Sequence, residues 1–330
     1  MMHRLTTARA SCLIYGFARR QAARQKSAGR WLLPGNICEA VPLALMSADA
    51  PIEFIDIDVE TLALNTDRVA SSLDRHGPCA GIINIHPYGS SHGAAQRLRH
   101  LRQLIGSNSL LIDDRCLCVP SLEPTESEAD LVLYSTGYGK VLDLGSGGYG
   151  FARDPLNIPV PEAPHDPAAE RRLVSALQTA ETRGQVCPMD EDEILRRSSD
   201  HWLPNTAGPD PVEQDKHVKS NLAPVLAHKR MINAIYREHL PEQACWPDPF
   251  QSWRFQISTH DSHALLEHIR AAGFFASSHY RGFEHAFGKF DLPETRRLQS
   301  KTVNLFNDKN IAEDQALALA LHVRAFLEAH

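Results

Sequence analysis

The sequence lacks the features that mark a membrane or nucleic-acid protein. No apolar run approaches the roughly 20 residues that cross a bilayer as a helix. With 34 Lys and Arg against 40 Asp and Glu, its net charge of -6 offers no basic surface to nucleic acid or to an anionic membrane. Cysteine is sparse and odd in number: Cys12, Cys38, Cys79, Cys116, Cys118, Cys187 and Cys245 are scattered, which excludes a disulfide frame and fits reduced thiols in a cytoplasmic protein. Cys116-Leu117-Cys118 has no second Cys or His pair at ligand spacing, so it reads as packing and no metal is expected. The glycine-rich stretch 144–150 does not join a first strand to a helix in a G-x-G-x-x-G pattern with an acid about 20 residues on, so a dinucleotide loop is excluded as well.

What remains is an ordinary globular composition, 43% hydrophobic and 22% charged over 330 residues, enough for about two domains. The chain is organised around residues 110–148. Leu110-Leu111-Ile112 reads as a buried parallel strand that delivers Asp113 and Asp114 at its carboxyl end, where open α/β sheets place their ligands. A second apolar run, Leu131-Val132-Leu133-Tyr134, leads into Ser135-Thr136-Gly137-Tyr138-Gly139-Lys140. Two neighbouring strands then bring an acid and an amine to one crevice. Pyridoxal phosphate uses that pair: an amine to hold its aldehyde, and a carboxylate to keep its ring nitrogen protonated. The Ser135 hydroxyl with nearby backbone N–H groups suits the cofactor phosphate, and Gly145-Ser146-Gly147-Gly148 permits a tight turn beside it.

The order Leu-Ile-Asp-Asp, Tyr-Ser-Thr-Gly-Tyr-Gly-Lys and Gly-Ser-Gly-Gly resembles the DegT-type sugar aminotransferases, a branch of the fold-type I pyridoxal phosphate enzymes. In that family an aspartate closing a strand holds the pyridine nitrogen, a Ser-Phe-His-x-x-Lys segment carries the Schiff base, and a Gly-Gly pair follows. The resemblance implies that Asp114 is the pyridine aspartate, Ser135 a phosphate ligand and Lys140 the Schiff-base lysine. Asp113 matches the acidic residue that commonly precedes the functional one. Thr7-Ala8-Arg9 matches the segment that opens the phosphate-binding helix, ahead of an apolar helix face at 13–18. The basic residues from Arg4 to Arg30 resemble a targeting peptide, but the buried helix face is the better account. Family members carry a few dozen residues before this point, forming an arm that helps build the active site; here the sequence starts almost on the phosphate loop, so truncation or a site built without the arm is expected.

The rest of the chain follows the same comparison. Trp31 to Pro34 is a strand, followed by a helix at about 39–47, with Cys38 where the family places an aromatic ring over the pyridine. Cys38 is therefore a candidate cofactor neighbour. A strand over 52–58, a helix after Asn65 ending near Leu73, a strand at 81–85 and an amphipathic helix at 96–105 complete a strand–helix repeat from 31 to 151. That repeat calls for an α/β fold with a mainly parallel sheet flanked by helices, its site at the carboxyl ends where Thr7, Asp114 and Lys140 fall. His86-Pro87-Tyr88-Gly89 resembles a family His-x-Tyr-Gly, making His86 a cofactor candidate and Tyr88 a substrate candidate. Further on, a Pro-rich linker over 153–168, helices at 169–181 and 190–197, a loop at 205–211 and a connector helix at 223–239 are expected. A strand at 253–257, a helix at 262–272 stopped by Gly273, a short strand at 303–307 and a last helix at 312–328 form a small C-terminal α/β domain. The domains are thus 1–152, 153–222 and 223–330. Asn221, His279, Tyr280 and His285 are substrate candidates by resemblance.

By resemblance the function is transfer of an amino group from a glutamate-like donor to a keto substrate, a nucleotide-linked keto sugar, by a cytoplasmic homodimer. Relatives that dehydrate instead carry histidine in place of the lysine, so Lys140 favours transamination. A pyridoxal phosphate-binding homologue with another reaction, or with a regulatory role and no turnover, is the alternative.

Overall fold

In the computed structural model, residues 2–25, 29–124, 126–154, 208–278 and 290–329 are described. Seven strands form one sheet in the order β1-β7-β6-β5-β4-β2-β3. They are β1 (His3–Thr7), β2 (Trp31–Pro34), β3 (Ile52–Ile55), β4 (Gly81–Ile85), β5 (Leu110–Asp114), β6 (Leu131–Ser135) and β7 (Gly148–Ala152). Strands β3, β2, β4, β5 and β6 are mutually parallel, whereas β7 runs antiparallel between β6 and β1. Two reversals restore direction, so β1 points the same way as β6 and ends on the same edge. The expected mainly parallel sheet is present. Neither β1 nor β7 was foreseen, because Gly148-Tyr149-Gly150 reads as a turn in sequence and becomes a strand only by pairing on both sides.

The parallel strands are mainly apolar because both of their faces are covered. Alternation sends Leu33, Ile83, Ile112 and Leu133 to one face, where they pack on α1 (Ala10–Gln25) and α2 (Ala40–Ser47). Leu32, Ile82, Leu111, Val132 and Tyr134 go to the other, against α3 (Thr66–His76) and α4 (Ala94–Ile105). Asn65 starts α3 by accepting from the amides of Asp67 and Arg68.

Helix α5 (Pro211–His239) begins well before the expected connector, so the border proposed at 222/223 falls inside one helix. Its start signal is Asp210, whose carboxylate accepts from Val212 and Glu213, with Pro211 in the first turn. Near its start Asp215 pairs with Arg4 at 2.5 Å, and further along Ile232 and Tyr236 enter a second core. That core lies under a three-stranded antiparallel sheet, β8 (Phe255–Ser258), β10 (Thr302–Leu305) and β9 (Ala276–Ser277), backed by α6 (Ser262–Ala271) and α8 (Glu313–Ala329). The expected linker from 155 onward and the helices at 169–181 and 190–197 lie outside the described residues.

The two sheets are joined by polar contacts at the site edge. Asp56, just past β3, accepts from the amides of Glu294 and Thr295 and from the Thr295 hydroxyl, at 3.0, 2.9 and 2.8 Å, and so caps α7 (Pro293–Lys301) from across the seam. Trp253 donates its indole N–H to the carbonyl of Gly139 at 2.6 Å. Replacing Asp56 with Ala leaves those donors unpaired in a buried place. We expect Asp56→Ala to lose about 2 kcal/mol of stability, read as a lower urea midpoint by tryptophan fluorescence, with Asp56→Asn recovering part of it. An unchanged midpoint in the alanine variant would remove the cap from the account.

Candidate active site

The period of two along β5 separates its two acids. Asp113 points to the α3/α4 face and Asp114 to the α1/α2 face. Asp113 is fully buried and saturated: it accepts from His86 Nε2 at 2.8 Å, Asn84 Nδ2 at 3.1 Å, and Arg115 through Nε at 2.8 Å and Nη2 at 2.7 Å. The other ring nitrogen of His86 meets the Ser91 hydroxyl at 3.1 Å. Burial opposes a charged imidazole, but interactions with Cys118 and with the Asp113 carboxylate outweigh burial and push His86 up to about 9. Burial also opposes the Asp113 charge, and His86 with Arg115 holds it down at about 2. Beside this network a cavity of about 880 Å³ opens, lined among others by Ser91, Arg99, Arg115 and Glu126. It lies across the sheet from Asp114.

Asp114 ends β5 on the other face and accepts from the amide of Cys116 at 2.9 Å. Lys140 arrives from the turn after β6, in which its own amide donates to the Gly137 carbonyl at 3.3 Å. Asp143 pins that turn by accepting from the amides of Gly139 and Gly145, each at 2.8 Å, and Gly139 has φ +69, a conformation that suits glycine. The Lys140 side chain comes within electrostatic reach of Cys116, Cys38, Asp114 and Glu39. Burial works against its charge, yet its pKa lies above the usual lysine value, with the Asp114 and Glu39 carboxylates among the groups that favour the charged amine. Burial, then Glu39, pushes the Cys38 thiol up to about 12. Burial, then Asp114, raises Cys116 well above a free thiol. Both thiols therefore stay protonated and pack as neutral groups.

The third part of the site is a cradle at the start of α1. Thr7, Gly148 and Ser135 face one another in register across β1, β7 and β6. A Cβ on Gly148 would lie 2.1 Å from the Ala10 amide nitrogen, so only glycine admits the β1–α1 turn here. The first amides of α1 therefore pack directly on Gly148, which is paired in register with Ser135. The Ser135 hydroxyl accepts from the Gly137 amide at 3.2 Å and lies 3.4 Å from the Gly147 carbonyl.

No protein-family model matches the sequence, and no curated protein matches it significantly. Solved structures do match. DesI, crystallised in the presence of its TDP-sugar product, superposes with a TM-score of 0.69 at 17% identity, over 98% of this chain and 80% of that one. A DegT DnrJ EryC1 StrS aminotransferase from Brucella abortus gives 0.65 at 15% identity, over 98% and 86%. E. coli GDP-4-keto-6-deoxy-D-mannose-3-dehydratase with bound hydrated PLP gives 0.61 at 12% identity, over 97% and 87%. The chain has the fold of the DegT-type aminotransferases.

Within this aminotransferase fold, the structure gathers Asp114, Lys140, Cys38, Ser135 and the Thr7-Ala8-Arg9 turn at one edge and face. The Thr7 hydroxyl is engaged at home, 2.7 Å from the Arg9 carbonyl and 3.3 Å from that of Gly148, so it shapes the turn. The Ala8 carbonyl accepts from the Gly147 amide at 2.9 Å. Two candidates lie apart from this group. His86 is directed by alternation to Asp113 on the opposite face, where it holds the strand end. Tyr88 is completely buried in the apolar seam with Val141, Phe250 and Trp253, its ring 5.0 Å from that of Trp246, so it wedges the two sheets together. Asn221 is exposed along α5 and donates to the His217 carbonyl at 2.8 Å. His279, Tyr280 and His285 lie outside the described residues.

Sequence reasoning missed Glu39, and it missed Trp253 and Arg254 beside the lysine turn. Glu39 had a local signal, its place beside Cys38 at a helix start. Trp253 and Arg254 are brought by tertiary packing alone.

The His86–Asp113 pair gives a pH test. A raised folded pKa means that the His86 contribution is full below the unfolded value of about 6.5 and is lost as pH rises through about 9. The stability gap between wild type and His86→Gln should therefore be widest near pH 6 and narrow toward pH 10, as urea midpoints across that range will show. A gap that stays constant with pH would mean that His86 is neutral in the fold.

Proposed function

We propose that the chain is a pyridoxal phosphate-dependent aminotransferase acting on an amino-acid donor and a nucleotide-linked keto sugar. The observation that carries this reading is the convergence of Asp114, Lys140 and the Gly148 cradle on one edge and face of the sheet. The donor set fits the cofactor. A carboxylate ends a central strand, an amine stands beside it among groups that favour its charge, and Gly148 lets the first helix amides pack close to the strand end that carries the Ser135 hydroxyl. Bound there, pyridoxal phosphate would supply the electron sink for reaction at the amino-acid α-carbon.

The residues of the chain supply the rest. Asp114 would hold a proton on the ring nitrogen that faces it. Lys140 Nζ would bind the cofactor aldehyde and, once freed by the donor amine, carry a proton between the two reacting carbons as general base and acid. Ser135 and the α1 amides would anchor the phosphate. Cys38, protonated and compact, stands where the family stacks an aromatic ring, so the ring is held with less stacking area. The sugar class follows the names of the matched structures, DesI with its TDP-sugar product among them. The matched dehydratase keeps the second reading open, and Lys140 favours transamination over it. A homodimer in the cytoplasm completes the proposal, on the resemblance and on the scattered thiols.

The purified protein should develop a visible absorption band with pyridoxal phosphate and lose it to the amino form of the cofactor on adding glutamate. Lys140→Ala should fold and show no such band. Asp114→Asn should slow the glutamate half-reaction by about 100-fold or more. A band that ignores every amino donor would replace transamination with another reaction, and a band that persists without Lys140 would sink the assignment of that lysine.

A further inference from the structure

The cavity on the α4 face of the sheet is not used by any of the roles above. It measures about 880 Å³, a size that suits a small molecule, and the sheet separates it from the Lys140 crevice. Part of its wall is apolar, where α4 supplies Ala94, Ala95 and Leu98 and the chain before β1 adds Met2. The rest is polar. Arg99, Arg115, Arg153 and His86 line it together with the carboxylates of Glu126 and Glu128. Asp113 lies beneath and accepts from both Arg115 and His86. Arg153 is fixed by the carbonyls of Ala129 and Ser127, each at 3.0 Å, with the Glu128 carboxylate at 3.7 Å. With His86 charged, four cations face three carboxylates, so the cavity has an excess of one positive charge.

Two donors in this lining are unspent. A charged His86 carries a proton on both ring nitrogens, so Nδ1 donates to the Ser91 hydroxyl at 3.1 Å. The Ser91 hydroxyl keeps its own proton to donate, and no acceptor among the described residues takes it. Arg99, two turns into α4, has no hydrogen-bond or ion-pair partner among the described residues. A cation that serves only solubility needs no cavity beside it. Here the unspent cation and hydroxyl share one cavity with an apolar wall, which matches a ligand that has an anionic head and an apolar body. We infer that this cavity binds a small organic anion, its head on Ser91 and Arg99 and its body against Ala94, Ala95 and Leu98. The inference stands apart from the aminotransferase reading, since no residue of the Lys140 crevice takes part.

The probe is 1-naphthyl phosphate, a fluorescent aryl phosphate, titrated into the full chain after loading with pyridoxal phosphate and removal of the excess. Its polarisation should rise to saturation. Arg99→Gln and Ser91→Ala should each weaken binding about 3- to 10-fold, and Glu126→Gln should tighten it by removing a like charge. Ala95→Trp should fill the cavity and abolish binding. All four positions are exposed, so urea midpoints equal to wild type will separate loss of the site from loss of the fold. Binding that is unchanged in both Arg99→Gln and Ala95→Trp would overturn the inference, because the probe would then sit elsewhere. Weaker binding in Glu126→Gln would overturn the anionic class, since that carboxylate would then serve a cationic part of the ligand. No saturable binding to the wild type would sink the site outright.

Discussion

The site depends on the satisfaction of Asp113. A carboxylate with no exposure inside an apolar sheet is tolerable only if its lone pairs are filled. His86, Asn84 and Arg115 fill them from β4 and from the residue that follows β5. These bonds fix the register of β5 against β4 at the carboxyl edge. Because side chains alternate, fixing Asp113 on the α4 side forces Asp114 to the α1 side, where Lys140 and the glycine cradle stand. A slip of one residue would exchange the two acids and leave a buried carboxylate unpaired among apolar groups.

A second constraint is the seam between the sheets. The turn that carries Lys140 is held by Trp253, and the loop after β3 caps α7 through Asp56. Tyr88 adopts φ +54, a left-handed conformation that costs an L-residue about 1 to 2 kcal/mol, and is held there by burial of its ring against Trp246 and Trp253. The neighbouring Gly89 has no room for a Cβ, which would fall 2.3 Å from the Ser252 hydroxyl and 2.4 Å from the Leu117 carbonyl. Strain and close approach concentrate where the two sheets define the position of the lysine turn.

The thiols give the crevice its individual character. Cys38 and Cys116 flank Lys140, yet burial and adjacent carboxylates keep both protonated, so they act as compact walls with weak hydrogen-bond donors and not as nucleophiles. The Lys140 amine is influenced by more negative groups than the sequence motif discloses, Glu39 among them.

By itself the sequence determined the parallel strands and their helices, and it singled out Asp114, Ser135 and Lys140 as candidates. The reason is that these features are local: an apolar run of five, an acid at its end, a lysine in a glycine turn. Helix α5 also has a local start signal, Asp210-Pro211, within a stretch whose composition otherwise reads as a loop. Tertiary structure alone decided the rest. β1 and β7 exist because each pairs with strands distant in the chain, and a glycine-rich segment carries no periodicity that would announce it. His86 and Tyr88 sit beside the motif in sequence, but alternation turns one to the far face and packing draws the other into the seam. Trp253 and Arg254, more than 100 residues beyond Lys140, reach it only because α5 and the Asp56 cap dock the small sheet at that edge. Contacts of that sequence separation leave no trace in local spacing, since their energy comes from surfaces that meet only after both sheets have formed.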